Sequence, residues 1–117
     1  LNITNQGKKM SWSKYELDVI RWAEARKIIP NATPVSQLLK AVSEMGELCD
    51  AEGKQDHAAM QDAVGDVLVC LINYCALRSL DMTRCLAFAY EQIKDRKGTL
   101  MPDGTFVKEH QKTTIGT

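Results

Sequence analysis

Residues 63–77 read AVGDVLVCLINYCAL, a stretch in which Asp66 and Asn73 are the strongly polar members. At 100° per residue its apolar side chains fall on every side, so it predicts a helix buried over most of its circumference, inside a bundle or against another subunit. Asp66 and Asn73 lie two turns apart on one narrow stripe, and Asp62 lies one turn before Asp66 on the same line. A carboxylate in so apolar a setting is costly unless it is paired or coordinated. Either an ion pair with Lys40 or Lys94, or a metal, is required to compensate Asp66. Gly65 beside it gives up about 1 kcal/mol of helix propensity relative to alanine, which suggests a close approach there.

The elements on either side follow from caps and stops. Asp56 caps this helix, which is expected to run to about Leu80. Before it, Thr33-Pro34 is an N-cap with proline at the first helical position, opening a helix to about Glu52 that Gly53 stops. On that helix Leu38, Ala41, Val42, Met45, Leu48 and Cys49 share one expected core face, flanked by Lys40, Glu44, Glu47 and Ala51. Ser13 and Glu16 form a capping-box pattern for a first helix carrying Leu17, Ile20, Ala23 and Ile28, ended by Pro30 and Asn31. Asp81 caps a last helix reaching Gly98, in which Phe88 and Tyr90 read as core. Two short strands around Pro102-Asp103-Gly104-Thr105 follow. The fold class expected is all-α: a four-helix antiparallel bundle with a short C-terminal β-hairpin, oligomerising through the bundle. Residues 1–12 read as a flexible lead-in, 13–109 as the helical domain and 110–117 as a frayed tail.

Composition narrows the function. The 117 residues allow one domain, and 15 Lys and Arg balance 15 Asp and Glu, so no global field draws nucleic acid or an anionic membrane. Phosphate recognition then has to be local or metal-mediated. Cys49, Cys70, Cys75 and Cys85 show no CxxC spacing and read as small core residues of a reducing compartment. The N-terminus lacks the order of a signal peptide, and Val67–Leu77 falls short of the roughly 20 residues that span a bilayer. A soluble cytoplasmic protein is expected. His57 and His110 read as surface residues in a loop and a tail, and no Ser-His-Asp or Cys-His arrangement is legible.

Glu44 and Glu47 fall within one helical turn, as do Asp62 and Asp66, and four such oxygen ligands suit a hard divalent cation. Taken alone, E-x-x-E on a helix is usually a solvated face; the apolar surroundings of Asp66 favour a site. Lys94, Arg96 and Lys97 complement a helix C-terminus and equally suit a polyphosphate, with Lys54 a further candidate.

With these residues in view, Lys40-x-x-x-Glu44-Met45-Gly46-Glu47-Leu48, Asp62-Ala63-Val64-Gly65-Asp66-Val67-Leu68-Val69, Asn73 and Ile93-Lys94-Asp95-Arg96-Lys97-Gly98 resemble the MazG-type nucleoside triphosphate pyrophosphohydrolases. These belong to the all-α NTP pyrophosphatase group, and the resemblance covers roughly residues 35–109. It implies Mg²⁺-dependent hydrolysis of a (deoxy)nucleoside triphosphate to monophosphate and pyrophosphate, with Mn²⁺ as an alternative ion. It also implies a homodimer or homotetramer, while the charge balance predicts no nucleic-acid or membrane partner. Glu44, Glu47 and Asp66 are the implied catalytic residues, joined by Asp62 as metal ligands. Lys40, Asn73, Lys94, Arg96 and Lys97 are the implied substrate contacts. Two positions depart from the family pattern: Ser43 replaces the first of two consecutive glutamates, and Ala63 stands where E-x-x-D has its glutamate, with Asp62 the substitute. A dUTPase, a phosphoribosyl-ATP pyrophosphohydrolase and a non-catalytic nucleotide- or metal-binding oligomer are the competing readings.

Overall fold

The computed structural model describes residues 10–109, so expectations for 1–9 and 110–117 lie outside the described residues. The all-α class holds, with five helices and one two-stranded sheet among the described residues: α1 (Trp12–Ala25), α2 (Ile28–Asn31), α3 (Pro34–Lys54), α4 (His57–Leu77), α5 (Met82–Ile93), β1 (Gly98–Leu100) and β2 (Phe106–Lys108). There are five helices instead of four because the chain turns after Ala25. Lys27 adopts a left-handed φ of 65°, and α2 is a single distorted turn containing Pro30. The chain forms two compact units, divided between Thr83 and Arg84 in the first turn of α5.

In the first unit α3 and α4 form a helical hairpin, with α1 and α2 against α4. Thr33 caps α3 by accepting from the Ser36 N–H at 3.0 Å, and Asp56 caps α4 by accepting from the Ala59 N–H at 3.1 Å. Gly53 does not end α3; it lies inside the last turn, and Gln55 takes the left-handed conformation (φ 55°) that terminates the helix. Nor does Ser13 open α1. Ser11 caps it, accepting from the Lys14 N–H at 3.3 Å. Glu16 is thereby released to reach the start of α5, where it accepts from the Met82 N–H at 3.1 Å and the Thr83 hydroxyl at 2.8 Å. A carboxylate at a helix N-terminus offsets the positive end of the helix dipole.

The seam between α3 and α4 is built from small residues. Ala51 and Ala63 are buried, and Ala41 and Ala59 half-buried. The expected core face of α3 is rotated as a result. Glu44 and Ala51 are buried and Leu48 is half-buried, while Val35, Leu38, Leu39, Val42 and Met45 form an exposed stripe, with Val42 70% exposed. The apolar arc of α3 is wider than α4 alone covers. On α4 the C-terminal half (Cys70, Ile72, Asn73, Cys75) is buried, whereas Val64 near the N-terminal end is exposed. A Cβ at Gly65 would meet nothing within 4 Å, so no close approach within this chain accounts for that glycine. None of the four cysteines is disulfide-bonded; Cys70 and Cys75 are buried, but Cys49 and Cys85 are exposed, contrary to expectation. His57 is the first residue of α4 and is not in a loop. With 21 residues, α4 is long and apolar enough to cross a membrane by length and composition, a test that core helices also pass.

The second unit holds the rest of α5 and the hairpin. The strands pair antiparallel with Gly98 opposite Lys108, Thr99 opposite Val107 and Leu100 opposite Phe106. Gly104 supplies the positive φ of 92° at the turn, and the Asp103 carboxylate accepts from the Thr105 N–H at 2.9 Å, which holds its carboxyl below the usual value. Phe88 and Tyr90, expected in the core, are exposed, Phe88 at 69%; α5 has no companion helix within its own unit. Asp56→Ala is expected to destabilise the protein by about 1 kcal/mol, read by urea denaturation, because it removes the α4 cap.

Candidate active site

Small side chains along the α3–α4 seam bring the two helices together where their acidic residues lie. Glu44, on α3, is 9% exposed, and its Oε1 is buried without a hydrogen-bond partner. Its other oxygen, Oε2, lies 3.5 Å from Lys40 Nζ, one turn earlier on the same helix. That lysine is 62% exposed at its side chain, so the pair is long, wet and weak. Of the two ion-pair partners expected for Asp66, Lys94 pairs instead with Glu91 at 2.7 Å.

Asp66 of α4 stands within the electrostatic reach of Asp62, Glu44 and Lys40. Burial raises its carboxyl above the ordinary value. The negative charges of Asp62 and Glu44 add to that, Lys40 opposes it, and a contact with the Glu44 carboxyl adds further. Cys70 borders the same group: burial pushes its thiol up, and Lys40, Glu44 and Asp66 all act on it.

Glu47 occupies a neighbouring hollow of about 200 Å³ between α3 and α4, lined also by Asp50, Lys54, Asp56 and Asp62. Asp62 thus belongs to both neighbourhoods, facing this hollow and acting on Asp66. The structure therefore brings Lys40, Glu44, Asp62 and Asp66 together and places Glu47 beside Asp62. Among the described residues, no three carboxylate, histidine or cysteine side chains converge into a ready coordination geometry. Asp50 was not singled out from the sequence, although its position three residues after Glu47 repeats the E-x-x-E spacing. Asn73 is 3% exposed and its Oδ1 is a second buried acceptor without a partner. Lys94, Arg96 and Lys97 fall in the second unit.

These donors fit a hard divalent cation. A buried acceptor left without a donor costs about 1–3 kcal/mol, and a carboxylate oxygen satisfied by no N–H or O–H is the kind of atom Mg²⁺ or Mn²⁺ binds.

No protein-family model matches the chain. A curated relative, an uncharacterized 18.2 kDa protein in the rep-hol intergenic region of Haemophilus phage HP1 (strain HP1c1), is 33% identical over 55 residues. Those residues are 47% of this chain and 34% of the relative, so the match spans about a third of that protein's length. Among solved structures, the cyanophage S-2L MazG-like pyrophosphohydrolase bound to dGDP and three catalytic Mn²⁺ ions per active site is similar, with a TM-score of 0.65 and 19% identity. The similarity covers 87% of this chain and 96% of that one. The chain has the fold of a MazG-like pyrophosphohydrolase.

The raised carboxyl of Asp66 sets a pH dependence. The folded protein holds this proton to higher pH than the unfolded chain, whose carboxyl titrates near 3.8, so the folded state binds more protons across the window above that value. Stability in EDTA is therefore expected to fall as pH rises through the window, and Asp66→Asn to remove that fall. Millimolar Mn²⁺ at pH 7 is expected to raise the wild-type melting temperature and to raise that of Asp66→Asn less. Thermal melts across pH, with and without metal, check both.

Proposed function

We propose that the chain hydrolyses a (deoxy)nucleoside triphosphate to the monophosphate and pyrophosphate, using Mg²⁺ or Mn²⁺ held by Glu44, Glu47, Asp66 and Asp62. The observation that carries this reading is the buried Glu44 Oε1, an acceptor without a donor beside the carboxyl groups of Asp66 and Asp62. The MazG-like fold supports it. A divalent cation there would neutralise phosphate oxygens and lower the pKa of the attacking water.

The chain's own residues do the remaining work. Water adds to phosphorus, the bridging P–O bond between the α and β phosphates breaks, and pyrophosphate departs with the bond's electron pair. Glu47, on the open hollow, accepts the water's proton, while Glu44 is held in the seam as a ligand. Lys40 and Asn73 contact the substrate. The proposed setting is the cytoplasm.

We also propose a homodimer or homotetramer. The exposed stripe of Val35, Leu38, Leu39, Val42 and Met45 on α3 supports it, because a run of aliphatic side chains over three turns is unfavourable in water and a second copy would cover it.

A non-catalytic metal and nucleotide binder is the competing reading, favoured by the alanine at position 63. Product analysis with a nucleotide panel and Mg²⁺ separates the two. Pyrophosphate and a monophosphate are expected, with loss of activity in EDTA and on the order of a 100-fold loss or more in Glu44→Gln. Orthophosphate as the sole released anion would overturn the bond assignment, and nucleotide affinity without products would establish the binder. Light scattering is expected to give a mass above the 13.1 kDa of one chain, and Val42→Glu to reduce it toward that value.

A further inference from the structure

The hairpin groups one aromatic ring, Phe106, with the cations Arg96, Lys97 and Lys108. A Cβ on Gly98 would run into the Val107 carbonyl oxygen and the ring of Phe106, so the ring rests against the glycine. An aromatic covering a strand glycine is a structural device in its own right. Yet Phe106 remains 51% exposed, so the ring is held in place and still open to solvent. Lys108, two residues further along β2, projects from the same face of the strand, opposite Gly98. Phe106 and Lys108 line an open hollow of about 730 Å³ together with Arg96 and Lys97.

The charge around the ring is unbalanced. Three cations, Arg96, Lys97 and Lys108, line the hollow against one carboxylate, Glu109. Among the described residues none of the three cations forms a salt bridge. The Lys97 carbonyl accepts from the Glu109 N–H at 2.7 Å, which extends the ladder and fixes both ends of the hollow. An aromatic face with unpaired cations beside it is the composition that binds a stacked base and its phosphates. The hollow's size falls within the range of small-molecule sites.

We propose that this face of the hairpin binds a nucleotide without a metal ion, the base stacking on Phe106 and the phosphates meeting Arg96 and Lys108. A mononucleotide fits better than a nucleic-acid strand, since there is one ring here and no net positive charge on the chain as a whole. The choice of ligand class rests on the nucleotide reading of the preceding section. The residues Phe106 and Lys108 and the independence from metal do not.

The test is calorimetric titration of the full chain with dGTP, with inorganic triphosphate and with a short oligothymidylate strand, all in EDTA at low salt. Phe106→Leu is expected to weaken dGTP about tenfold and to leave triphosphate unchanged. Lys108→Gln is expected to weaken both ligands several-fold, and Phe106→Trp to retain dGTP binding and report it by quenching of its fluorescence. Glu44→Gln, which probes the acidic site, is expected to bind dGTP in EDTA as the wild type does, so loss of turnover and loss of this site are read separately. No dGTP binding in EDTA, equal binding by Phe106→Leu, or tighter binding of the strand than of dGTP would each overturn the proposal.

Discussion

The packing of α3 on α4 is the constraint on which the rest of the molecule depends. Two small residues, Ala51 and Ala63, are buried in that seam and let the helices come together. Helices that meet over small side chains enclose whatever longer side chains border the contact. Here that side chain is Glu44. Its burial, the raised carboxyl of Asp66 and the altered thiol of Cys70 are three consequences of one approach between two helices.

That seam also sets positions 62 and 63 apart in exposure. Ala63 is 4% exposed and borders the same hollow that Glu47, Asp50 and Asp62 line. Asp62, one residue earlier, escapes the seam, stays exposed and faces the hollow that Glu47 and Asp50 also line.

The class of the fold was legible in the sequence because its signals are local. Thr33-Pro34 and Asp56 cap the helices they were expected to cap, and the turn at Asp103-Gly104 joins the strands. What escaped depends on contacts distant in sequence. Glu16 satisfies a capping-box spacing with Ser13 but is drawn to Met82 and Thr83, 66 and 67 residues away. The core face of α3 was misplaced because periodicity reports where apolar residues lie, not which part of a wide apolar arc a neighbour covers. Val42 and Glu44 show the cost of that ambiguity: the valine is exposed and the glutamate buried. Asp50 escaped for a different reason, since a hollow between two helices has no signature in either one.

Glu44 is the one buried carboxylate of this group, and its compensation bears on what kind of site this is. A structural pair would show a lysine close to Glu44, enclosed with it and hydrogen-bonded on both sides. Lys40 is instead 3.5 Å away and mostly in solvent, and it reaches one of the two oxygens. An exposed pair of that kind contributes about 0–1 kcal/mol, whereas an unpartnered buried acceptor costs about 1–3 kcal/mol. The arrangement is therefore destabilising as it stands, and the like charges of Asp62 and Asp66 add to the imbalance. Asn73, with its own buried acceptor, extends the same deficit along α4. Oxygen acceptors buried without donors are the kind of atom a divalent cation binds, and on that imbalance the proposed metal site rests.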